Sequence, residues 1–408
     1  MTTNLPDAER AASPAPSAIP KTVWILGVVS LLMDISSEMV QTLLPFYLVT
    51  GLGASAMFVG FVEGLSVAIA TVTKLFSGIL ADRMAQRKPL AALGYGLGAL
   101  SKLIFPLATT AGWIVAAKAV DRVGKGIRGT PRDALIADVT PPELRGASFG
   151  LRKSLDTVGG FVGPLAAIGL MLLLGGDVLT IYWIAVIPAF LAVALLIVGI
   201  REPKAPFKAK GGGWPRPAEI ARLNGAVWMV IGAASLLTLA RFSEAFLLLK
   251  SSEAGFSPAW IPITMVVMHA VYGLTAYPVG RLSDHIGRSG LLIASLFVLV
   301  AAYVVLARAD TVFAFIAGIV LWGLHMGLSQ GLLATLIADT APKHLKGTAF
   351  GVFNLMTGVV VLAGNVAAGW IWDAHGSSAT FLTGAGLTVL TMLVAVPMLL
   401  RVKPVQAN

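Results

Sequence analysis

Residues 135–150 have the sequence LIADVTPPELRGASFG, and residues 336–351 have the closely similar sequence LIADTAPKHLKGTAFG. The two segments are 201 residues apart in a chain of 408 residues. A second pair of similar segments, GILADR at 78–83 and GRLSDH at 280–285, is separated by 202 residues. Because two independent matches at almost the same spacing rarely arise by chance, they indicate a chain built from two duplicated halves.

The composition of the chain is that of a membrane protein. Hydrophobic residues make up 57% of it and charged residues only 12%, about half of the roughly 25% that is usual in soluble proteins. Long apolar runs such as residues 291–307 exclude a soluble enzyme, a coiled coil and a porin-like barrel of alternating strands. At about 20 residues per span, the chain holds roughly twelve helices. We therefore predict an all-α integral membrane fold with twelve transmembrane helices in two six-helix, pseudo-symmetric halves.

Apolar segments and one polar interruption predict the domain boundaries. Residues 1–21 contain several prolines and lack the apolar core of a signal peptide, which predicts a disordered tail. Six spans are expected in residues 22–200 and six in residues 224–401. The basic, glycine-rich segment 201–223 is predicted to link the two sets, and residues 402–408 are predicted to form a second tail.

The loop charges predict how the chain is oriented. Counted over alternate loops, eighteen lysines and arginines lie on one side, and only Lys250 and Arg308 lie on the other. This asymmetry predicts that both termini and the linker are cytoplasmic in a bacterial-type plasma membrane. The same bias accounts for the net charge of +10, so no nucleic-acid partner is predicted. The absence of cysteine excludes disulfides and thiolate metal sites.

The segment 78–83, with Arg87 and Lys88, resembles the loop motif between the second and third helices of the major facilitator superfamily. Ala85 stands where that family usually has a glycine. In the family this loop is part of a cytoplasmic latch that holds one conformation. The resemblance implies a latch formed by Gly78, Asp82, Arg83, Arg87 and Asp138 and by the second-half residues Asp284, Arg288 and Asp339. Loop capping at helix ends remains an alternative role for these charges.

Two further motifs strengthen the resemblance, which covers essentially the whole chain after residue 20. Arg122-x-x-Lys125-Gly126 is similar to the family's motif built on an intramembrane arginine. Gly159-x-x-x-Gly163-Pro164 resembles the motif of drug and proton antiporters, although a glycine pair that usually follows is replaced here. The resemblance implies export by antiport. Close helix packing is the alternative role of these glycines.

Charged residues inside the predicted spans are the most informative feature of the first half. The first span carries Asp34 and Glu38 on one polar stripe, and the fourth carries Asp121 and Arg122. Each isolated charge at mid-membrane costs roughly 3 kcal/mol, so these groups must pair or line a wet cavity. Asp34, Glu38 and the segment from Arg122 to Arg128 are all expected near the midpoints of their spans, with a carboxylate beside Arg122. A carboxylate held there links protonation to helix movement, so a proton site and a structural ion pair are both open.

The remaining intramembrane polar residues predict a substrate cavity. The predicted lining residues are Gln41, Glu63, Lys125, Arg128, Arg132, Arg241, Glu244, His269, Tyr272, Trp322, His325 and Asn354. Basic residues outnumber acidic ones in the first half, which favours an anionic solute modestly. Salt bridges of Arg128 and Arg132 to nearby aspartates are the alternative.

Metal and cofactor binding are not predicted. Met265 and His269 lie one helical turn apart, and thioether and imidazole ligands suit copper or nickel. Methionine is, however, common in apolar spans, so this pair is only an alternative metal site. Five histidines and no cysteine assemble no catalytic triad, so no enzymatic activity is expected.

The predicted function is secondary transport of a small solute by a monomer, coupled to protons, with export by antiport. One alternative is a transporter of an anionic compound, or of a transition metal or metal chelate. Another, from a different class, is a membrane receptor or scaffold that does not transport. The polar stripes inside the membrane favour transport over this last hypothesis.

Overall fold

The structure of the protein is a computed structural model that describes residues 18–84, 86–200, 217–286, 288–329, 337, 340–342 and 345–400. Most of the predicted tail at 1–21, most of the linker at 201–223 and the whole tail at 402–408 lie outside the described residues. The described part is helical, with short connections between long helices.

The described residues of the first half form six long helices. They are α1 (Lys21–Gln41), α2 (Ala56–Arg83), α3 (Lys88–Leu107), α4 (Ala111–Val139), α5 (Arg145–Leu173) and α6 (Val178–Gly199). One short helical turn at Leu44–Phe46 and a π-helix at Tyr47–Gly51 extend α1, and a 3-10 turn at Pro142–Leu144 precedes α5. We call the side on which α1 begins the near side, and the side on which α2 begins the far side.

The second half repeats this arrangement. Its helices are α7 in two pieces (Gly225–Ala240 and Ala245–Glu253), α8 (Ile263–Ile286), α9 (Arg288–Ala307), α10 (Val312–Ser329), and a segment Lys346–Leu400 that contains α11 (346–375) and α12 (377–400). Short turns occupy Pro217–Ile220 and Pro258–Trp260. Gly376 separates α11 from α12 with a φ of +83°, a conformation that glycine adopts without steric penalty.

The helices have the length and composition of membrane spans. Ten helical segments in the described part are long and apolar enough to cross a bilayer, and one of them, Lys346–Met398, contains both α11 and α12. The helix α4 is not among them, although its 29 residues exceed the length of a span, because it is rich in charges. The predicted all-α, two-half membrane fold is confirmed.

The two halves meet along α2 and α11, and along α5 and α8. On the far side the α2–α11 contact is close. A Cβ atom on Gly60 would overlap the carbonyl oxygen of Asn365, and one on Gly369 would overlap that of Ala56. The Asp373 carboxylate, from α11, also accepts a hydrogen bond of 2.8 Å from the Ala56 N–H. These contacts close the far side of the molecule.

The helix α7, which the sequence predicts as one continuous span, is interrupted at residues 241–244, in the middle of that span. The Tyr303 hydroxyl accepts from the Phe242 N–H at 3.1 Å and donates to the Ala240 carbonyl at 2.7 Å. The Asn365 side chain accepts from the Ser243 N–H at 2.8 Å. Because a bilayer offers the free backbone groups no partners, these side chains are what permits the break.

Candidate functional site

Three adjoining cavities lie between the two halves. The largest, about 590 Å³, is called the basic cavity, and its charged lining residues are Lys74, Arg122, Lys125, Arg128, Arg132, Arg152 and Lys153 with Asp34, Glu38, Asp133 and Asp156. A smaller one of about 160 Å³, the methionine cavity, is lined among others by Glu38, Gln41, Glu63, Glu244, Met265, Met268, His269 and Met326. The third, about 250 Å³, is the histidine cavity, and its polar lining residues include Glu63, Arg241, Ser243, Glu244, Ser295, His325 and Asn365.

The basic cavity is open toward the near side. It extends from Asp34 and Glu38 on α1 to Lys74 and Lys153, whose side chains are exposed in the near-side parts of α2 and α5. The methionine cavity lies beyond it, under the closed far-side contacts, and shares Glu38 and His269 with it. Within the described part of the chain, a solute therefore has access to the interior from the near side.

The cavities bring together most of the predicted lining residues, from both halves. Trp322 and Asn354 differ from the prediction, because neither lines these three cavities. Trp322 is fully buried, and its ring stands edge-on to Tyr303 at a centroid distance of 5.3 Å. His325 lines the histidine cavity but is anchored, since its Nδ1 donates to the Ser295 carbonyl at 2.8 Å.

The ion pair of Asp34 differs from the expected one. Its carboxylate lies 4.0 Å from Arg128 Nη2, whereas the ion pair that the structure describes for Arg122 is with its neighbour Asp121, at 3.4 Å. Asp34 lies 13 residues from the near-side start of α1, and Arg128 lies 11 residues from the near-side end of α4. With a rise of about 1.5 Å per residue, Asp34 and Arg128 therefore lie at nearly the same depth in the membrane. Arg128 also lies over the Tyr95 ring, 4.9 Å from its centroid.

Asp121, for which a proton site and a structural ion pair are both predicted, lies in a buried ion pair between α3 and α4. Its Oδ1 accepts a hydrogen bond of 2.8 Å from Lys102 Nζ, and the two side chains are 4% and 1% exposed. Asp121 lines none of the three cavities. Glu63 is similarly bound to Lys118, at 2.6 Å, but remains on the wall of the methionine cavity.

The two arginines near the mouth of the basic cavity are paired with aspartates. Arg132 lies 3.1 Å from Asp133 and donates to Ser30 Oγ at 2.9 Å. Arg152 lies 2.5 Å from Asp156 and 3.5 Å from Asp133. The sequence predicts two roles for Arg132, binding of the substrate or a salt bridge to a nearby aspartate. The structure contains the salt bridge.

The glycines of the antiporter-like motif lie against the two carboxylate-bearing turns of α1. A Cβ atom on Gly159 would be 3.0 Å from Asp34 Cβ, and one on Gly163 would be 2.6 Å from Glu38 Cβ. Pro164 is buried in the same helix. Small residues here allow α5 to approach the backbone of α1 at the level of both carboxylates.

One ion pair of the expected latch is present on the near side. Arg87 Nη1 lies 2.5 Å from Asp138 Oδ2, and the two side chains are 25% and 53% exposed. Exposed pairs of this kind stabilise proteins by at most about 1 kcal/mol. Gly78 lies near Thr130 of α4. The side chains of Asp82, Arg83, Asp284 and Arg288, and all of Asp339, lie outside the described residues.

Met265 and His269 both line the methionine cavity. His269 Nδ1 is buried without a hydrogen-bond partner in the described part of the chain. No three His, Cys, Asp or Glu side chains are grouped as metal ligands among the residues searched, which are the described ones. Glu38 lines the same cavity as Met265 and His269, so the metal site at this pair stays the alternative that the sequence offered.

Comparisons with known proteins agree with this architecture. The Major Facilitator Superfamily model matches residues 26–358 and, in an overlapping match, residues 247–408. An uncharacterized MFS-type transporter of Methanocaldococcus jannaschii is 29% identical over 386 residues, which is 91% of this chain and 94% of that protein. Multidrug resistance protein MdtH of Yersinia enterocolitica is 26% identical over 364 residues, 86% of each chain. A bacterial homolog of the human lysosomal transporter Spinster, solved inward-facing and unoccupied, has the same fold, with a TM-score of 0.78 at 15% identity over 96% of this chain and 100% of that one.

Proposed function

The chain belongs to the major facilitator superfamily of membrane transporters, and we propose that it moves a small solute across the membrane by alternating access, coupled to protons. The observation that carries this proposal is the basic cavity, which lies between the halves, is open on the near side and is closed by α2 and α11 on the far side. A rocking movement of one half against the other exposes such a cavity to each side in turn.

The proton site of this proposal is formed by Asp34 and Glu38. Both carboxylates line the basic cavity, and both are held by the α1–α5 contact at Gly159 and Gly163. Arg128, 4.0 Å from Asp34, is the positive group whose approach favours the ionised carboxylate. Rocking moves the second half, whose His269 and Tyr272 line the same cavity, relative to these carboxylates, and so changes the access of water to Asp34 and its affinity for a proton.

The direction of coupling depends on the charge of the solute. A cation competes with the proton for Asp34 and Glu38, which gives exchange, or antiport. This is the arrangement that the antiporter-like glycines and the multidrug relative support. An anion bound beside the same carboxylates instead favours their protonation, which gives co-transport.

The near side is assigned to the cytoplasm in this proposal. The supporting observation is the distribution of lysine and arginine over alternate loops, eighteen on the near side and two on the far side. The transporter is proposed to work as a monomer in a bacterial-type inner membrane. With the near side cytoplasmic, the structure corresponds to an inward-open state.

The proposal is tested with purified protein in liposomes that contain a pH-sensitive dye. Each compound of a panel of organic anions, cations and neutral molecules is added outside, and the movement of protons is recorded. A compound that the protein transports is expected to start a proton flux that empty liposomes lack. Transport of labelled compounds with no accompanying proton flux for any of them would contradict the coupling.

We expect the substitution Asp34→Asn to abolish accumulation driven by a pH gradient while leaving exchange at equal concentrations intact. A coupled one-to-one transporter accumulates its solute about tenfold per pH unit, because about 1.4 kcal/mol corresponds to a factor of ten. The variant is expected to reach only equal concentrations. The matched control is Asp177→Asn, on the exposed N-terminus of α6 away from the cavities, where asparagine also serves as a cap. Tenfold accumulation by the Asp34 variant would remove Asp34 from the coupling site.

A further inference from the structure

The basic cavity has more positive than negative charge on its walls. Seven basic side chains line it against four acidic ones. Asp133 and Asp156 are bound by the arginines at the mouth, Arg132 and Arg152. Deeper inside, the two remaining carboxylates, Asp34 and Glu38, share the cavity with three basic residues of α4.

The arginines of this inner part have guanidinium N–H groups without acceptors. Arg128 is 4% exposed and Arg122 is 9% exposed, and both line the cavity. In the described part of the chain, Arg128 Nη1 and Arg122 Nε have no hydrogen-bond partner, although Asp121 lies 3.4 Å from the latter. These two nitrogens are themselves inaccessible, and Arg128 Nη1 lies against Gly98 of α3, so a ligand in the cavity meets the other N–H groups of the two guanidinium groups.

Lys125 lies between these arginines on the same helix. It lines the basic cavity, and its side chain is exposed to the cavity rather than buried. Among the described residues its ammonium has no hydrogen bond or ion pair. The spacing of three residues from Arg122 to Lys125 and from Lys125 to Arg128 places them on successive turns of α4. Three cationic groups therefore line one wall of the cavity.

The second half forms the opposite wall. His269 and Tyr272 of α8 line the same cavity as the three basic residues. A ligand of moderate size that occupies about 590 Å³ therefore contacts both halves at once. Contact with both halves is what allows a solute to influence their relative movement.

From this geometry we infer that Arg122, Lys125 and Arg128 bind an anionic group, such as a carboxylate or a phosphate, of the transported solute. The inference names the substrate class of the proposed transporter and rests on that proposed function. The arginine forks are suited to the paired oxygens of such groups, and Lys125 supplies a further, mobile donor.

The charge of the solute also decides whether solute and proton move in the same direction or in opposite directions. Asp34 lies among Lys125, Arg128, Arg132 and Asp156. An anion bound at Lys125 and Arg128 neutralises two of these positive groups, one of them 4.0 Å from the carboxylate, and leaves Asp34 to take up a proton. Anion and proton then bind together and move together. Co-transport thus replaces the exchange that the antiporter-like glycines imply.

The binding site is tested by equilibrium binding, which does not require transport. Purified protein in phosphatidylcholine nanodiscs is titrated with benzoate, benzamide and benzyltrimethylammonium, which share one ring and differ in charge, and with phenyl phosphate. The two anions are expected to raise the melting temperature, and the other two compounds are not. Benzoate binding in weakly buffered solution is expected to take up protons; proton release would overturn the co-transport.

The variant Lys125→Gln is expected to weaken benzoate binding about tenfold or more, the loss of one charge-assisted hydrogen bond. It is expected to fold normally because Lys125 makes no hydrogen bond or ion pair within 4 Å among the described residues and is attracted to Asp34 and Glu38 only at longer range. The control Arg222→Gln removes one positive charge from an exposed position outside the cavities and is expected to bind as the wild type does. Equal benzoate affinity in the wild type and Lys125→Gln, or stabilisation by benzyltrimethylammonium alone, would overturn the anion site.

A repeat in nanodiscs that contain phosphatidylglycerol separates a soluble anion from a lipid headgroup. Unchanged benzoate affinity supports a soluble solute, whereas loss of benzoate binding assigns the site to the lipid and overturns the inference. Proton flux with cations and no anion binding would keep the proposed function and remove this site. Anion binding without any transport would keep the site and remove the proposed function.

Discussion

Replacement of Lys102 by methionine is expected to lower the free energy of unfolding by about 3 kcal/mol, because it leaves Asp121 buried without its main counter-charge. The two side chains form a 2.8 Å ion pair and are nearly inaccessible, at 1% and 4%. Arg122, 3.4 Å from Asp121, offsets part of the loss, so the effect falls at the lower end of the range for broken buried pairs. Thermal and denaturant unfolding in detergent measures it.

The double variant Lys102→Met with Asp121→Leu is expected to recover most of this stability, since no buried charge is left over. The second half supports this expectation. At the same 201-residue offset, Tyr303 and Trp322 stand in place of the ion pair and pack edge to face. The control is Lys21→Met at the exposed start of α1, which is expected to be neutral. A single variant as stable as wild type, or a double variant no better than the single, would contradict the argument.

Substitution of leucine for Gly60 is expected to abolish transport and to open the far side. Even a Cβ atom at this position would overlap the backbone carbonyl of Asn365, and backbone cannot move aside as a flexible side chain can. The only relief is a separation of α2 from α11, which breaks the contacts that close the far side. The variant is therefore expected to populate a far-side-open state at the expense of the one described.

The cysteine-free chain makes this measurement direct, because introduced cysteines are the only labelling sites. Spin labels at Thr109→Cys and Asp310→Cys, exposed in far-side loops of the two halves, are expected to lie farther apart in Gly60→Leu than in the parent. The matched control is Gly96→Leu in α3, where an added Cβ meets no atom within 4 Å. An unchanged distance distribution with normal transport would contradict the argument, because it would show that the α2–α11 contact accommodates the larger side chain without separation.

The sequence was informative wherever the signal is local or repeated. The apolar spans, the 201-residue repeat and the polar stripe of α1 each predict a feature that is visible in one stretch of chain. Most of the cavity residues could be predicted because they are charged residues inside apolar spans, and such a charge must pair or face a wet interior. Trp322 is one of the two exceptions, the other being Asn354; an aromatic residue in a span carries no comparable penalty and packs equally well in a core.

The sequence does not show which side chains of different helices form pairs with each other. Glu38, Asp34, Arg122 and Arg128 fall at similar depths, and a depth estimate does not show which of them face each other. The break of α7 is another example, since the groups that satisfy it, on Tyr303 and Asn365, lie 61 and 122 residues away in the chain. Such partners become evident only after the helices are placed.

The sequence by itself determined the membrane class, the two homologous halves and the concentration of charge in the first of them, because hydrophobicity, spacing and net charge are properties of the chain. Only the tertiary structure decided which of those charges are neutralised and which remain available. The reason is physical: the energy of a buried charge depends on the distance to its nearest counter-charge and on its access to water. Packing alone withdraws Asp121 into a pair with Lys102 and leaves Lys125 facing an open cavity.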